Sequence, residues 1–188
     1  MKNAIVLTGG IATGKSSALK LLKERGFSAI DADEISRERF AERSKEIEAV
    51  FGTLNRAEIG DHIFANPDLR AKLETILHPL IRKRIFEESD KLEALNRTYF
   101  IDIPLFFERQ SEYPIERSLL IYAPRQTQIA RLVANRGLSN ERAIARVDSQ
   151  IPVEKKRELA RWTIENVKDL AHLSREIDRF LKTAIGKK

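Results

Sequence analysis

Short apolar runs recur along the chain, closed off mostly by turn-forming or polar residues: AIVL at 4–7, FSAI at 27–30, TYFIDI at 98–103, SLLIYA at 118–123 and RWTIE at 161–165. Their shortness and their β-branched and aromatic content predict five buried strands. The segments between them carry helical patterns, so the strands should be joined by crossovers rather than hairpins. The expected class is α/β, a five-stranded parallel sheet with helices on both faces. The chain closes with Leu170, Leu173, Ile177, Leu181 and Ile185, spaced for one apolar helical stripe that packs on the body.

Two stretches interrupt the alternation of strand and helix. Between Asp33 and Leu95 there is no strand character, and Asn66-Pro67-Asp68 and His78-Pro79 place prolines at expected first helical positions. An inserted helical subdomain is expected there. The second helical stretch, Pro124 to Ala160, carries Arg125, Arg131, Arg136, Arg142, Arg146 and Arg157. It reads either as a mobile lid or as a solvated helical face. Neither repeats nor low-complexity segments interrupt the chain.

Composition narrows the picture without choosing a function. A length of 188 residues suits one domain or one core with an insertion, and 42% hydrophobic with 33% charged residues is a globular balance. Lysine and arginine outnumber acids by 34 to 28, a formal charge of +6 that favours anionic partners. There is no run of five or six like charges and no interleaving of aromatics with basic residues, which argues against nucleic acid as a partner. With no cysteine and only His62, His78 and His172, thiolate and histidine-cluster metal sites are excluded, and a cytoplasmic location is the simplest expectation. The apolar stretch 4–7 is too short for a signal-peptide core and nothing approaches a membrane span.

The candidate chemistry begins at LTGGIATGKSS, where Gly9-x4-Gly14-Lys15-Ser16 follows a predicted strand and opens a predicted helix. That context is the one a phosphate-binding loop requires. Backbone N–H groups from Gly10 through Ile11, Ala12, Thr13 and Gly14 can curl around phosphates. The helix N-terminus adds its dipole, and Lys15 brings a full charge. Ser16 offers a hydroxyl suited to Mg²⁺, and Ser17 could cap the helix or meet the α phosphate. The bland reading, a glycine-rich turn capping an ordinary helix, leaves Lys15 without a reason to follow Gly14.

After the second strand come Asp31 and Asp33, so at least one carboxylate can stand at the carboxyl edge of the sheet, where ligands bind. Asp33 is the expected base for an attacking hydroxyl, its bland alternative being the N-cap of a helix starting near Glu34. Asp102 ends the third strand, the usual place for a second acid near Mg²⁺. Pro104 should stop that strand; Phe106 and Phe107 read as packing, and Glu108 as a surface or capping group.

Taken in order, LTGGIATGKSS, IDADEISRE, ILHPLIR, DIPLFFE, QIARL, SQIPVEKKRELA and IEN resemble the dephospho-coenzyme A kinases over nearly the whole chain. The resemblance implies a P-loop kinase-type three-layer fold. It implies transfer of the ATP γ-phosphoryl group to the 3′-hydroxyl of dephospho-coenzyme A, the last step of coenzyme A synthesis, with Mg²⁺ as helper. It further implies a single domain, 1–188, with a helical acceptor-binding subdomain at 34–95 and a lid at 124–160. Residue by residue, it makes Asp33 the base, Lys15 and Ser16 the phosphate and Mg²⁺ contacts, Arg131 the lid arginine that stabilises transfer, Arg82 an acceptor-side group and Asn166 part of the adenine side. His78 would contact acceptor phosphates or, equally, be a buried histidine fixing a helix entry.

The chain departs from the family pattern at several points. Ala12 stands where glycine is usual, and binding should survive if its φ is negative. Asn135-Arg136 reverses the usual order, so a second lid arginine is left between Arg136 and Arg146. Glu165 and Lys168 replace the commoner aspartate and glycine around Asn166. The competing expectations are a different small-molecule kinase, of the shikimate or nucleoside-monophosphate type, and a non-catalytic nucleotide sensor or RNA-binding adaptor. HPLIR speaks against the first.

Overall fold

The computed structural model describes residues 1–186, and residues 109–111 in backbone only. Five strands form one sheet: β1 (Ala4–Gly9), β2 (Ala29–Asp31), β3 (Tyr99–Asp102), β4 (Ser118–Tyr122) and β5 (Trp162–Glu165), in the order β2-β3-β1-β4-β5. β1 runs parallel to both β3 and β4, and β4 parallel to β5. The three inner strands are buried along almost their whole length. The edge strands are not: β2 and β5 are each half-exposed, because an edge strand has a neighbour on one side only. The expectation of five buried strands therefore holds for the interior of the sheet alone.

The chain divides into two units, Met1–Ile30 with Leu92–Lys188, and Asp31–Lys91. In the first, the two-residue period of the strands sends Ile5, Leu7, Phe100, Leu119 and Ile121 to one face. Parallel register aligns Ile5 with Phe100 and Leu7 with Leu119, so these side chains share that face. Against them pack Ala18, Leu19 and Leu22 of α1 (Lys15–Glu24) and Leu173, Ile177 and Phe180 of α9 (Leu170–Phe180). Each large side chain so buried contributes about 1.5–3 kcal/mol. The expected closing stripe is thus present, but Leu170 at its start stays exposed and the last turn, Leu181–Ile185, widens into a π-helix. Three more helices complete this unit: α6 (Arg125–Arg136), α7 (Asn140–Asp148) and α8 (Val153–Leu159), the last packed on β4.

The second unit is helical, with α2 (Ala32–Glu42), α3 (Ser44–Phe51), α4 (Arg56–Ala65) and α5 (Pro67–Glu93). Its core joins Phe40, Ile47, Phe51, Ile59 and Leu77. Side-chain oxygens start three of these helices, α2, α4 and α5: Asp31 accepts the Asp33 and Glu34 N–H groups, Asn55 that of Ala57, and Asn66 those of Asp68 and Leu69. Pro67 takes the first position of α5 as expected. Pro79 does not start a helix, and α5 runs through it. Leu69, Leu73, Ile76, Leu77 and Ile81 form one stripe on both sides of Pro79 that packs into the same core, and this burial offsets the lost backbone bond. Pro79 itself is exposed. Among the described residues no helix is long and apolar enough to cross a membrane.

Candidate active site

The chain leaves β1 and β4 toward opposite sides of the sheet, which opens a crevice at their carboxyl ends. The loop that fills it starts at Gly9. A turn follows in which Thr13 N–H bonds Gly10 C=O at 3.3 Å and Thr13 Oγ1 bonds the same oxygen at 2.9 Å. Its third residue is Ala12, at φ 59°. A four-residue turn with positive φ at that position alone is of the type that favours glycine, so Ala12 is left-handed and the expectation of a negative φ fails. The loop ends on Gly14 at φ 93°. A side chain there would be doubly excluded, since a Cβ would lie 2.1 Å from Asn166 Nδ2. Gly10 likewise leaves room for Gln128, whose Oε1 would lie 2.6 Å from a Cβ.

Helix α1 then opens without a side-chain cap, and its first backbone bond runs from Ala18 N–H to Gly14 C=O at 3.1 Å. The N–H groups of Lys15, Ser16 and Ser17 precede that bond, leaving the donor-rich, positive end of a helix dipole beside the loop. Ser16 and Ser17 are exposed.

Three side chains brace the loop from outside. Asn166 donates from Nδ2 to Thr13 C=O at 2.8 Å, while its own N–H holds Tyr122 C=O at 2.8 Å. Arg131 donates from Nη1 to Ala12 C=O at 3.2 Å and Thr13 C=O at 3.4 Å, and from Nη2 to Asn166 C=O at 2.8 Å. Gln150 Oε1 accepts the Ile11 N–H at 2.9 Å. In a trans peptide the C=O and the following N–H point opposite ways. Tying the Thr13 carbonyl outward therefore turns the Gly14 N–H to the inner side of the loop.

At the mouth, the Lys15 ammonium donates to both carboxylate oxygens of Asp102, which ends β3 opposite Leu7 of β1. Both groups are almost fully shielded. The arrangement can do what a phosphate site needs: amides and an ammonium converge on one concavity, with an acid beside them that can release the lysine or hold a cation through water.

A model of the dephospho-CoA kinase family matches residues 3–172. The chain belongs to the dephospho-CoA kinase family. A dephospho-CoA kinase of Helicobacter pylori strain J99 is 41% identical over 194 residues, covering 98% of this chain and 99% of the relative. A solved structure from Thermus thermophilus is similar at TM-score 0.82 and 33% identity, covering 95% of both chains. A dephospho-CoA kinase from Campylobacter jejuni is similar at TM-score 0.72 and 32% identity, covering 98% of both. Family membership makes the chain a kinase of the P-loop class and implies ATP as a substrate. It sets aside the shikimate-type and adaptor readings.

The other site residues expected from the dephospho-CoA kinase resemblance lie in the helical unit. Asp33 stands in the first turn of α2 with an exposed side chain, because Asp31 takes the capping role. His78 and Arg82 are four residues apart on α5, hence on one side of it, and both are half-buried. Of the arginines in the second helical stretch, Arg131 reaches the loop. Arg125 instead ties α6 to α7 through Asp148, with bonds of 2.9 and 2.8 Å. The bond to Arg125 holds the Asp148 carboxyl below its usual range and raises Arg125 in turn. Arg157 pairs with Glu165 at 2.9 Å and lies over the Tyr122 ring. Glu108 is not the surface group expected; it pairs with the buried Lys156 at 2.7 Å.

Sequence reasoning missed Gln128 and Gln150. Gln128 is buried under Gly10 and donates to Ala123 C=O at 3.0 Å. Gln128 opens the run QIARL, but a glutamine on an otherwise amphipathic helix carries no local signal that it will be buried. Gln150 lay inside the quoted SQIPVEKKRELA, and its proximity to Pro152 marks a helix break, which is where a side chain is free to reach elsewhere.

Proposed function

We propose that this chain transfers the γ-phosphoryl group of ATP to the 3′-hydroxyl of dephospho-coenzyme A, and that residues 34–95 bind the acceptor and residues 124–160 serve as the lid. The observation that carries the reading is the loop 9–16 with the Lys15–Asp102 pair at its mouth, in a chain of this family. Loop amides and Lys15 hold the phosphate tail, and Asn166 and Arg131 keep the loop in shape. Asp33 accepts the proton of the acceptor hydroxyl as its oxygen bonds to the γ phosphorus and the bond to the ADP oxygen breaks. Arg131 carries the charge on the transferring group through the guanidinium N–H groups that its bonds to the Ala12, Thr13 and Asn166 carbonyls leave open.

Mg²⁺ fits the residues present. The Ser16 hydroxyl is exposed at the helix start and Asp102 supplies a carboxylate, both hard oxygen donors. Among the described residues there is no cluster of three or more metal-ligating side chains, which suits an ion held largely by water and phosphates. Held there, the ion would supply neutralisation of the charge on the phosphate tail. A chain without cysteine suits a reducing compartment, and we assign the cytoplasm. Purified protein with ATP and Mg²⁺ should form product with dephospho-coenzyme A and not with shikimate or AMP, and a Lys15→Ala variant should form none. Equal turnover with shikimate or AMP would overturn the acceptor assignment.

A further inference from the structure

The mechanism above has no use for two charged groups of the sheet-bearing unit, Glu108 and Lys156. Lys156 on α8 is 0% exposed, and its Nζ lies 2.7 Å from Glu108 Oε1. A lysine taken fully out of water is costly unless an anion meets it; Nζ makes no hydrogen bond among the described residues, so the ion pair with Glu108 is what offsets its burial and fixes the pair in the fold. The same Oε1 accepts the Ile151 N–H at 3.3 Å. The second oxygen, Oε2, is buried with no hydrogen-bond partner among the described residues. The carboxylate is therefore held by Lys156 and Ile151 through one oxygen rather than solvated through both.

What this anchor fixes is the short segment between α7 and α8. Gln150 is the residue next to Ile151, and its Oε1 accepts the Ile11 N–H, 139 positions away. Ile11 is the second residue of the turn closed by Gly10 and Thr13, whose third residue, Ala12, is left-handed. Nothing else described bonds that amide. Without an acceptor, a half-buried N–H would have to find water or turn elsewhere, and the turn would lose the shape that directs its neighbours.

We propose that Gln150 is a positioning residue for the phosphate loop, held against the Ile11 amide by the buried Glu108–Lys156 pair. Gln150 fixes the N-terminal half of the loop as Asn166 and Arg131 fix the C-terminal half. The bond is made between the protein's own groups, so this half of the cup does not depend on the nucleotide to order it. This rests on the nucleotide-binding part of the function proposed above and not on the identity of the acceptor.

The test is ATP binding with Mg²⁺, measured by titration calorimetry on the full chain without acceptor. Gln150→Ala should weaken ATP binding about tenfold. Its melting temperature should stay within about 2 °C of the parent, and KM for dephospho-coenzyme A should not change. A merely structural role would lower the melting temperature and leave the affinity of the folded protein alone. Glu108→Gln should weaken ATP in the same direction, and the double variant should bind no more weakly than Gln150→Ala alone, because both act through one contact. ATP affinity within twofold of the parent for Gln150→Ala, or additive losses in the double variant, would overturn the proposal. Gln150 is half-exposed, so that variant is informative even if Glu108→Gln fails to fold. A normal response of ATP binding to Gln150→Ala with no phosphorylation of dephospho-coenzyme A would count against the acceptor alone.

Discussion

Replacing Ala12 by glycine should make the protein more stable. Ala12 has φ 59° at the third position of the turn closed by Thr13 N–H and Gly10 C=O. An L-residue with a Cβ pays about 1–2 kcal/mol in the left-handed region. Glycine removes that cost but gains freedom in the unfolded chain, worth about 0.4–1 kcal/mol in the other direction. The difference is a stabilisation of about 0.5–1 kcal/mol. In a chain of 188 residues this raises Tm by about 1–4 °C. Ala12→Val should move the opposite way, because a β-branched side chain tolerates this region least. Thermal unfolding followed by circular dichroism would measure all three proteins, and ATP affinity should change little for Ala12→Gly, since the backbone keeps the same turn and the Arg131 bond to the Ala12 carbonyl involves no side chain of Ala12. A Tm for Ala12→Gly at or below that of the parent would refute the strain argument.

Other consequences concern catalysis, the proline and pH. Arg131→Ala should lower kcat by about a thousandfold or more and also weaken ATP binding, since it removes a guanidinium together with two bonds to loop carbonyls and one to the Asn166 carbonyl; single-turnover kinetics would separate the two. Unchanged turnover would remove Arg131 from the mechanism. Pro79→Ala restores a backbone donor inside α5 at an exposed position, and urea unfolding should show a gain of about 2–2.6 kcal/mol after the unfolded-state entropy of alanine is subtracted. Asp178 is held below its ordinary value of 3.8 by its hydrogen bond to Arg25, which is itself raised. A lowered carboxyl gives stability above its unfolded value and loses it as pH falls through the folded value. Asp178→Asn should therefore cost less than about 1 kcal/mol at neutral pH, the Asp178 side chain being largely exposed, and nothing once the pH is below the folded value. A gap between the two melting curves that persists into strong acid would show that another group is responsible.

Much of the architecture could be read from neighbouring residues alone. The five apolar runs are strands, within one or two residues at most ends, because period and β-branching act over a few positions. The glycine spacing before Lys15 likewise announces a loop that must bend sharply at a strand-to-helix junction. Pro67 starts its helix because a missing N–H costs nothing there. Pro79 misled for the same reason inverted. The local penalty was legible, whereas the buried stripe that outweighs it depends on α3 and α4 being folded against it.

The conformation of Ala12 and the bracing of the phosphate loop were decided only by the tertiary fold. Gln150, Arg131 and Asn166 reach the loop across 139, 119 and 153 positions of chain, and each does so with an ordinary polar or charged side chain, from the segment between two helices, from a helix and from just past a strand. Lys156 looks in sequence like one more surface charge, yet it is buried against Glu108. Local periodicity states which face of a segment avoids water. It does not state which distant carbonyl or amide will lack a partner once those faces are buried, and that need is what selects these side chains.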